Sequence, residues 1–132
     1  IQNQLNFHIN LLENHIDKKD DQNDYDKTIS MAKNIEIKLK NWEKKLIQPK
    51  QKTFQDVINF NNKLNAQLIQ LLRYIDQASP KVTKGAKERF KDLLDDWLIY
   101  KNERDLIIDT EMNAYNQLYK SLNIPALIIN NK

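Results

Sequence analysis

Residues 53–94, TFQDVINFNNKLNAQLIQLLRYIDQASPKVTKGAKERFKDLL, carry the pattern that decides the fold of this chain. Apolar residues recur in steps of three and four on both sides of Ser79-Pro80, which is typical of two amphipathic helices joined by a proline-bearing turn. Because short connections favour antiparallel neighbours, the stretch predicts a helical hairpin. Thr83 is the predicted N-cap of its second helix, and Thr53 or Asp56 that of its first.

The same periodicity extends outward from this hairpin toward both ends of the chain. It predicts a first helix from Ile1 and a second helix whose apolar stripe runs from Tyr25 to Leu46. The polar run Asp17–Asp24 between them predicts a turn, and one unbroken helix is the alternative because the run lacks glycine and proline. Pro49 ends the second helix, since proline disfavours helical backbone in the residue before it.

The predicted fold is all-α: an up-down-up-down four-helix bundle with a long last helix that Pro125 ends. The length of 132 residues suits a single domain with one core, and one glycine and three prolines are too few for the turns of an all-β domain. The helices are expected at about residues 1–19, 24–47, 54–78 and 83–123 of that domain. The predicted core positions on the stripes are Leu39, Trp42, Leu46, Leu64, Leu68, Leu71, Phe90, Trp97 and Leu118.

The sequence predicts no catalytic, cofactor-binding or metal-binding residue. Without cysteine neither disulfides nor thiolate metal sites can form, and a single glycine cannot supply a glycine-rich phosphate-binding loop. His8 and His15 lie seven residues apart, which is about 10 Å along a helix and too far for one shared metal ion. We therefore expect two solvated or packing histidines and no cofactor.

Two aspartates of the predicted last helix are the strongest candidates for chemistry. Asp92 and Asp96 are i,i+4 neighbours, and a pair of buried carboxylates could act as general acid and general base. They lie mostly opposite the apolar stripe, however, with Arg89 and Lys91 nearby, so a solvated and ion-paired surface is the favoured interpretation. This domain is therefore predicted not to be an enzyme.

A lysine-rich face on the second helix gives an alternative function, nucleic-acid binding, with which the net charge of +3 is compatible. Base recognition and base stacking favour arginine and exposed aromatic residues, whereas Trp42 lies on the apolar stripe. A solvated lysine face is the favoured interpretation, and nucleic acid is not an expected partner. The lysines are Lys33, Lys38, Lys40, Lys44, Lys45, Lys50 and Lys52.

Polar residues interrupt the stripe of the last helix between Lys101 and Asp105, where we expect a bend, an overhang or a polar partner. Arg104 and Glu111 lie seven residues apart on or beside this stripe. They either form a polar layer within the bundle or mark the point where the helix leaves its partners.

The C-terminal segment is apolar but short. Its run Ala126–Ile129 is far below the roughly 20 residues that a membrane-spanning helix needs, so no membrane span is expected. An apolar tail after the last helix should instead pack onto the bundle or onto another protein surface. The candidate interaction residues are Ile124, Leu127, Ile128 and Ile129.

Several segments together resemble the C-terminal helical domain of a large family of secreted proteins. These segments are Trp42-Glu43-Lys44-Lys45-Leu46, TFQDVINFNNKLNAQL, SPKVTKGAKERFKDL, Tyr115-Asn116-Gln117-Leu118 and Asn123-Ile124-Pro125-Ala126. The family comprises sortilin-like β-propeller proteins with BNR repeats, which are called glycosyl hydrolases. The resemblance spans Tyr25 to Ile129 and is strongest from Phe54 to Leu94. Asn61 departs from the proline that relatives often carry there, which predicts an earlier start for helix three.

The resemblance implies a non-catalytic accessory or interaction domain that follows a propeller and a small β-sandwich in an exported bacterial protein. The chain would then be a fragment of a larger polypeptide, periplasmic, outer-surface or extracellular in location. Glycoside hydrolysis would belong to the propeller, and no catalytic residue of the family falls on a position of this chain. The expected partners are other domains of the same polypeptide or a separate partner protein.

Overall fold

The computed structural model of the chain describes residues 1–14, 22–53, 55–77 and 81–122. Helices make up 84% of these described residues and no strand occurs among them, so the predicted all-α helical bundle class is confirmed. A π-helical turn, Ile107–Met112, continues without a break into the last helix, which confirms the long final element. The α-helices are α1 Gln2–Glu13, α2 Gln22–Leu46, α3 Asp56–Asn59, α4 Leu64–Gln77, α5 Lys84–Leu106 and α6 Asn113–Ser121.

The chain divides into two compact units. Unit 1 comprises Ile1–Leu39 and Leu106–Lys132, and unit 2 comprises Lys40–Asp105. Helices α2 and α5 each contribute residues to both units. That the chain folds as a single domain stays a prediction.

The core of unit 1 follows the predicted stripes closely. On α1 the buried side chains recur in steps of four and three, and on α2 they recur in steps of four, three, three and four, as expected for one face of a helix. The π-helical turn and α6 complete this core with Ile107 and Tyr115. The buried residues of α1 and α2 are Leu5, Ile9, Leu12, Tyr25, Ile29, Ala32, Ile35 and Leu39.

The core of unit 2 is smaller and joins α4 to α5. Its buried members are Leu64 and Leu71 from α4 and Ala86 and Leu93 from α5, which agrees with the predicted hairpin. Thr83 caps α5 as predicted, because its Oγ1 accepts a hydrogen bond of 3.2 Å from the Ala86 amide. The partly buried side chains packed on this core are Leu46, Leu68, Ile75, Trp97 and Tyr100.

Most of the predicted core positions are buried or half-buried. Leu39, Leu64 and Leu71 are buried. Trp42 is half-buried, and its indole N–H donates to the Tyr100 carbonyl oxygen at 2.6 Å, so the ring has a polar partner within unit 2. Leu46, Leu68, Trp97 and Leu118 are also half-buried.

The prediction that Phe90 belongs to the core is wrong, because its side chain is 51% exposed. At about 100° per residue, Phe90 lies roughly 60° around α5 from Leu93, toward one edge of the buried face. The periodicity places Phe90 on the apolar stripe, but the buried residues of α5 on either side of it along the chain are Ala86 and Leu93.

The prediction of one continuous helix over residues 54–78 is also wrong. The single turn α3 ends at Phe60, whose backbone is extended at φ −130° and ψ 128°, and α4 begins only at Leu64. The earlier helix start predicted from Asn61 is therefore wrong as well. Side-chain hydrogen bonds offer the backbone an alternative to helix here, since Gln51 Nε2 donates to the Phe60 carbonyl at 2.7 Å.

Helix α1 ends at Glu13, earlier than predicted, and α2 begins at Gln22, close to the predicted start. Residues 22–24 of the predicted turn belong to α2 instead, whereas residues 17–21 and the apolar residues from Ile124 onward lie outside the described residues.

Candidate functional site

An exposed apolar row runs along α5. Phe90, Leu94 and Leu98 lie four residues apart, so their side chains follow one another along one side of the helix. They are 51%, 41% and 46% exposed, respectively. The three residues are called the α5 row below, and they are flanked by the exposed charges Lys91 and Asp95. An apolar row rimmed by charged side chains is typical of a surface that another protein covers.

A cleft of about 550 Å³ lies between α3 and α4 and is called the α3–α4 cleft. Two of its apolar lining residues come from α3, where Ile58 is 88% exposed, and the others come from α4. The polar lining consists of four amide side chains and the guanidinium of Arg73. The complete lining is Gln51, Gln55, Val57, Ile58, Asn62, Ala66, Ile69, Gln70 and Arg73.

Hydrogen bonds fix the loop that forms one wall of this cleft. Gln51 Nε2 donates to Asn62 Oδ1 at 3.0 Å in addition to its bond to the Phe60 carbonyl. Gln67 Nε2 donates to the Asn62 carbonyl at 2.9 Å, and Arg89 in turn donates to Gln67 Oε1. The loop is thereby tied to α4, and α4 to α5. Such a network holds the wall in place before any ligand binds.

The turn that precedes α3 is held by a carboxylate. Asp56 Oδ2 accepts backbone hydrogen bonds from Thr53 at 2.7 Å and from Lys52 at 2.8 Å. These bonds, that from Thr53 foremost, lower the pKa of the Asp56 carboxyl below its ordinary value. The prediction that Thr53 or Asp56 caps this helix is wrong, because Gln55 is the N-cap of α3 and makes no side-chain cap hydrogen bond, whereas the Asp56 carboxylate accepts from residues that precede the helix.

Unit 1 contains a cluster of stacked aromatic rings. The rings of His8 and Tyr119 are stacked at 4.6 Å between centroids and 13° between planes, and His8 Nδ1 lies 3.2 Å from the Tyr115 hydroxyl. Burial, with a contribution from Tyr119, raises the pKa of Tyr115 to about 12. Burial and the nearby Tyr25 also raise the pKa of Tyr119. The packing role predicted for His8 is confirmed, and His15 lies outside the described residues.

The carboxylates that suggested acid–base chemistry lie at the surface. Asp92 and Asp96 are exposed, and Arg89 lies 3.9 Å from the Asp92 carboxylate, as the ion-paired interpretation predicts. Over the described ranges, histidine and carboxylate side chains form no group of three or more that could hold a metal ion.

Carboxylates neutralise part of the lysine-rich face of α2. Lys33 pairs with Glu13 at 2.8 Å, and Lys45 pairs with Glu103 at 2.6 Å. Lys38 Nζ pairs with Glu111 at 2.7 Å. These ion pairs reduce the positive potential that a nucleic acid would meet, which favours the solvated interpretation of this face.

The polar residues of the long last helix have partners of their own. Arg104 and Lys101 both reach the Asp105 carboxylate at 2.6 Å, and these bonds, that from Lys101 foremost, lower the pKa of Asp105. Arg104 therefore pairs within unit 2, and Glu111 pairs with Lys38 within unit 1. A polar partner at mid-length is the alternative favoured for this stretch, because Lys45 of α2 pairs with Glu103 at 2.6 Å, whereas the pairs of Lys101 and Arg104 with Asp105 lie within α5.

The fold and these surfaces define an all-α helical protein with an exposed apolar row and an amide-lined cleft. Among the residues that the structure describes, every helix is too short or too polar to span a bilayer. Comparisons of the chain with protein-family models, with curated proteins and with solved structures found no match. The resemblance to the helical domain of sortilin-like β-propeller proteins therefore stays a prediction.

Proposed function

We propose that this chain is a non-catalytic helical interaction domain that docks onto another domain of the same polypeptide. The observation that carries the proposal is the α5 row, because large apolar side chains in line along one helix are costly to leave in water. The resemblance to the C-terminal domain of exported glycosyl hydrolases supports a neighbouring domain of that polypeptide as the partner.

The exposed area of the α5 row is sufficient to contribute to docking. Full burial of a leucine or phenylalanine side chain is worth about 1.5–3 kcal/mol, and roughly half of each side chain in the row is still exposed. Covering all three would therefore contribute about 2–4 kcal/mol before the cost of association. The row suits a permanent neighbour in the same chain, whose tethering lowers that cost.

The proposal extends to the parent protein. Export, a propeller upstream and glycoside hydrolysis by that propeller follow from the resemblance, and the helical domain would hold or extend the propeller without taking part in catalysis. The first observation to make is the reading frame around this sequence, with a signal peptide and repeated propeller-blade motifs expected upstream. A short reading frame without them would contradict this parent.

A charged residue in the α5 row should weaken docking without unfolding the domain. Leu94→Lys places an ammonium group where the partner's apolar surface would lie, so we expect binding at least about tenfold weaker. Leu94 is exposed, so the free energy of unfolding should change by less than about 0.5 kcal/mol. The measurement is isothermal titration calorimetry of the chain with the upstream part of its reading frame, the two parts produced separately.

Leu106→Lys is the matched control, because Leu106 is an exposed leucine outside the α5 row. It introduces the same charge and should leave the affinity unchanged. Wild-type affinity in the Leu94→Lys variant would show that docking does not use the α5 row. Equal weakening by both substitutions would point to a general electrostatic effect instead.

A further inference from the structure

We propose that the α3–α4 cleft is a second binding site, which takes an extended peptide carrying a carboxylate side chain between aliphatic residues. The site is separate from the α5 row, so the proposal does not depend on docking by that row. Its volume of about 550 Å³ lies within the range of about 300–1,000 Å³ that is usual for ligand pockets.

Arg73 indicates the charge of the ligand. It is the one charged residue of the cleft lining, and within the described part of the chain it has no carboxylate partner. The other two arginines do have partners, since Arg89 lies near Asp92 and Arg104 pairs with Asp105. A planar guanidinium with its donors unused is suited to bind a carboxylate through two parallel hydrogen bonds.

The neutral polar lining indicates a peptide. Amide side chains such as Gln55 and Gln70 offer a donor and an acceptor each, which are the groups that an extended backbone must satisfy. Asn62 accepts from Gln51 through Oδ1, which leaves its Nδ2 group to donate. The lining thus matches alternating C=O and N–H groups better than it matches a purely apolar molecule.

The apolar part of the cleft indicates which side chains flank the carboxylate. The apolar part of the lining consists of Val57 and Ile58 from α3 and of Ala66 and Ile69 from α4. Ile58 is 88% exposed, so its side chain is available to cover a bound aliphatic group. Aliphatic side chains on both sides of an acidic residue would use this surface and Arg73 together.

The test is a titration of the ¹⁵N-labelled chain with two blocked peptides, acetyl-Ala-Leu-Glu-Leu-Ala-amide and its glutamine counterpart. The acidic peptide should shift the amide resonances of α3, of α4 and of the loop at Asn62, and should bind about tenfold more tightly than the glutamine peptide. The absence of shifts up to about 10 mM peptide would overturn the proposal. Shifts confined to residues outside the cleft would overturn it as well.

Substitutions at Arg73 test whether its guanidinium is the group that binds the carboxylate of the peptide. Arg73→Gln should remove the tenfold preference while weak binding of both peptides persists, and Arg73→Lys should restore part of the preference. Lys87→Gln is the matched control, because it removes one positive charge from the same unit outside the cleft and should keep the preference intact. A preference that survives in Arg73→Gln would overturn the assignment.

Leu94→Lys separates this site from the α5 row. The variant should bind the acidic peptide with wild-type affinity, since Leu94 does not line the cleft. Peptide binding lost in Leu94→Lys but kept in Arg73→Gln would place the peptide on the α5 row and overturn the proposal. Docking through the α5 row can fail in its own experiment while the cleft still binds peptide.

Discussion

Leucine-to-alanine substitutions at Leu12 and Leu93 are expected to lower the free energy of unfolding by about 2–5 kcal/mol each. Leu12 lies in the core of unit 1 and is 0% exposed, and Leu93 lies in the core of unit 2 and is 1% exposed. Each substitution removes the burial of three carbon atoms and leaves a cavity that close-packed neighbours fill only in part.

Urea unfolding followed by circular dichroism measures both effects. Leu98→Ala is the matched control, because Leu98 is 46% exposed on α5 and its truncation leaves no buried cavity. We expect the control to lower stability by less than about 1 kcal/mol. A loss below about 0.5 kcal/mol for Leu12→Ala or Leu93→Ala would show that the corresponding core is assigned wrongly.

The same variants test whether the chain is one domain. Both tryptophans, Trp42 and Trp97, belong to unit 2, whereas Leu12 belongs to unit 1. Because α2 and α5 contribute residues to both units, we expect one cooperative transition, so that Leu12→Ala also lowers the midpoint seen by tryptophan fluorescence. An unchanged fluorescence midpoint would mean that the two units unfold independently and that the single-domain prediction is wrong.

Periodicity alone was sufficient to predict the elements that bury one unbroken stripe. On α2 the predicted residues from Tyr25 to Leu39 are all buried, because a helix of this length presents a full face to its core. The predicted cap at Thr83 is correct for a similarly local reason, since an N-cap needs only its own side chain and an amide three residues on.

The break between α3 and α4 depends on contacts that a helical period does not encode. The bonds of Gln51 to the loop join residues nine and eleven positions apart and compete with helix formation. A local signal was present nonetheless, because the run Asn59-Phe60-Asn61-Asn62 is rich in a residue that favours turns. Without this break the α3–α4 cleft would not form, so the cleft could not be predicted.

The exposure of Phe90 and the π-helical turn had no comparable signal. Phe90 matches the stripe in sequence, and only the packing of Ala86 and Leu93 leaves it outside the core. The stretch from Lys101 to Asp105, for which the sequence predicts a bend, an overhang or a polar partner, lies within α5, and the π-helical turn begins beyond it at Ile107. At the end of the π-helical turn, the Asn113 Nδ2 group donates a hydrogen bond of 2.9 Å to the Asp109 carbonyl oxygen, which stabilises the wider backbone turn.

The stability of the protein should fall at alkaline pH because of Tyr115. Its hydroxyl is in a side chain only 2% exposed, and burial raises its pKa to about 12 from an ordinary value of 10.0. The folded protein therefore holds this proton more tightly than the unfolded chain does. The contribution of the Tyr115 hydroxyl to the free energy of unfolding is fully present below about pH 10. It falls by about 1.4 kcal/mol per pH unit as the pH rises toward about 12.

Tyr115→Phe should remove that part of the alkaline destabilisation. At about pH 8 the variant should be less stable than the wild type by about 0.5–1.5 kcal/mol, because the bond between Tyr115 and His8 is lost. At about pH 11 the wild type should have lost about 1 kcal/mol more than the variant, so the two stabilities converge. Lysines titrate in both proteins and cancel in the difference.

Urea unfolding of both proteins at these two pH values gives the comparison. Tyr119→Phe serves as a second variant, because burial also raises the pKa of Tyr119 but its side chain is only half-buried. Its difference from the wild type should change with pH in the same direction and by less. A difference between Tyr115→Phe and the wild type that does not change with pH would mean that the Tyr115 hydroxyl reaches solvent in the folded protein, which would contradict the burial of this ring between α1 and α6.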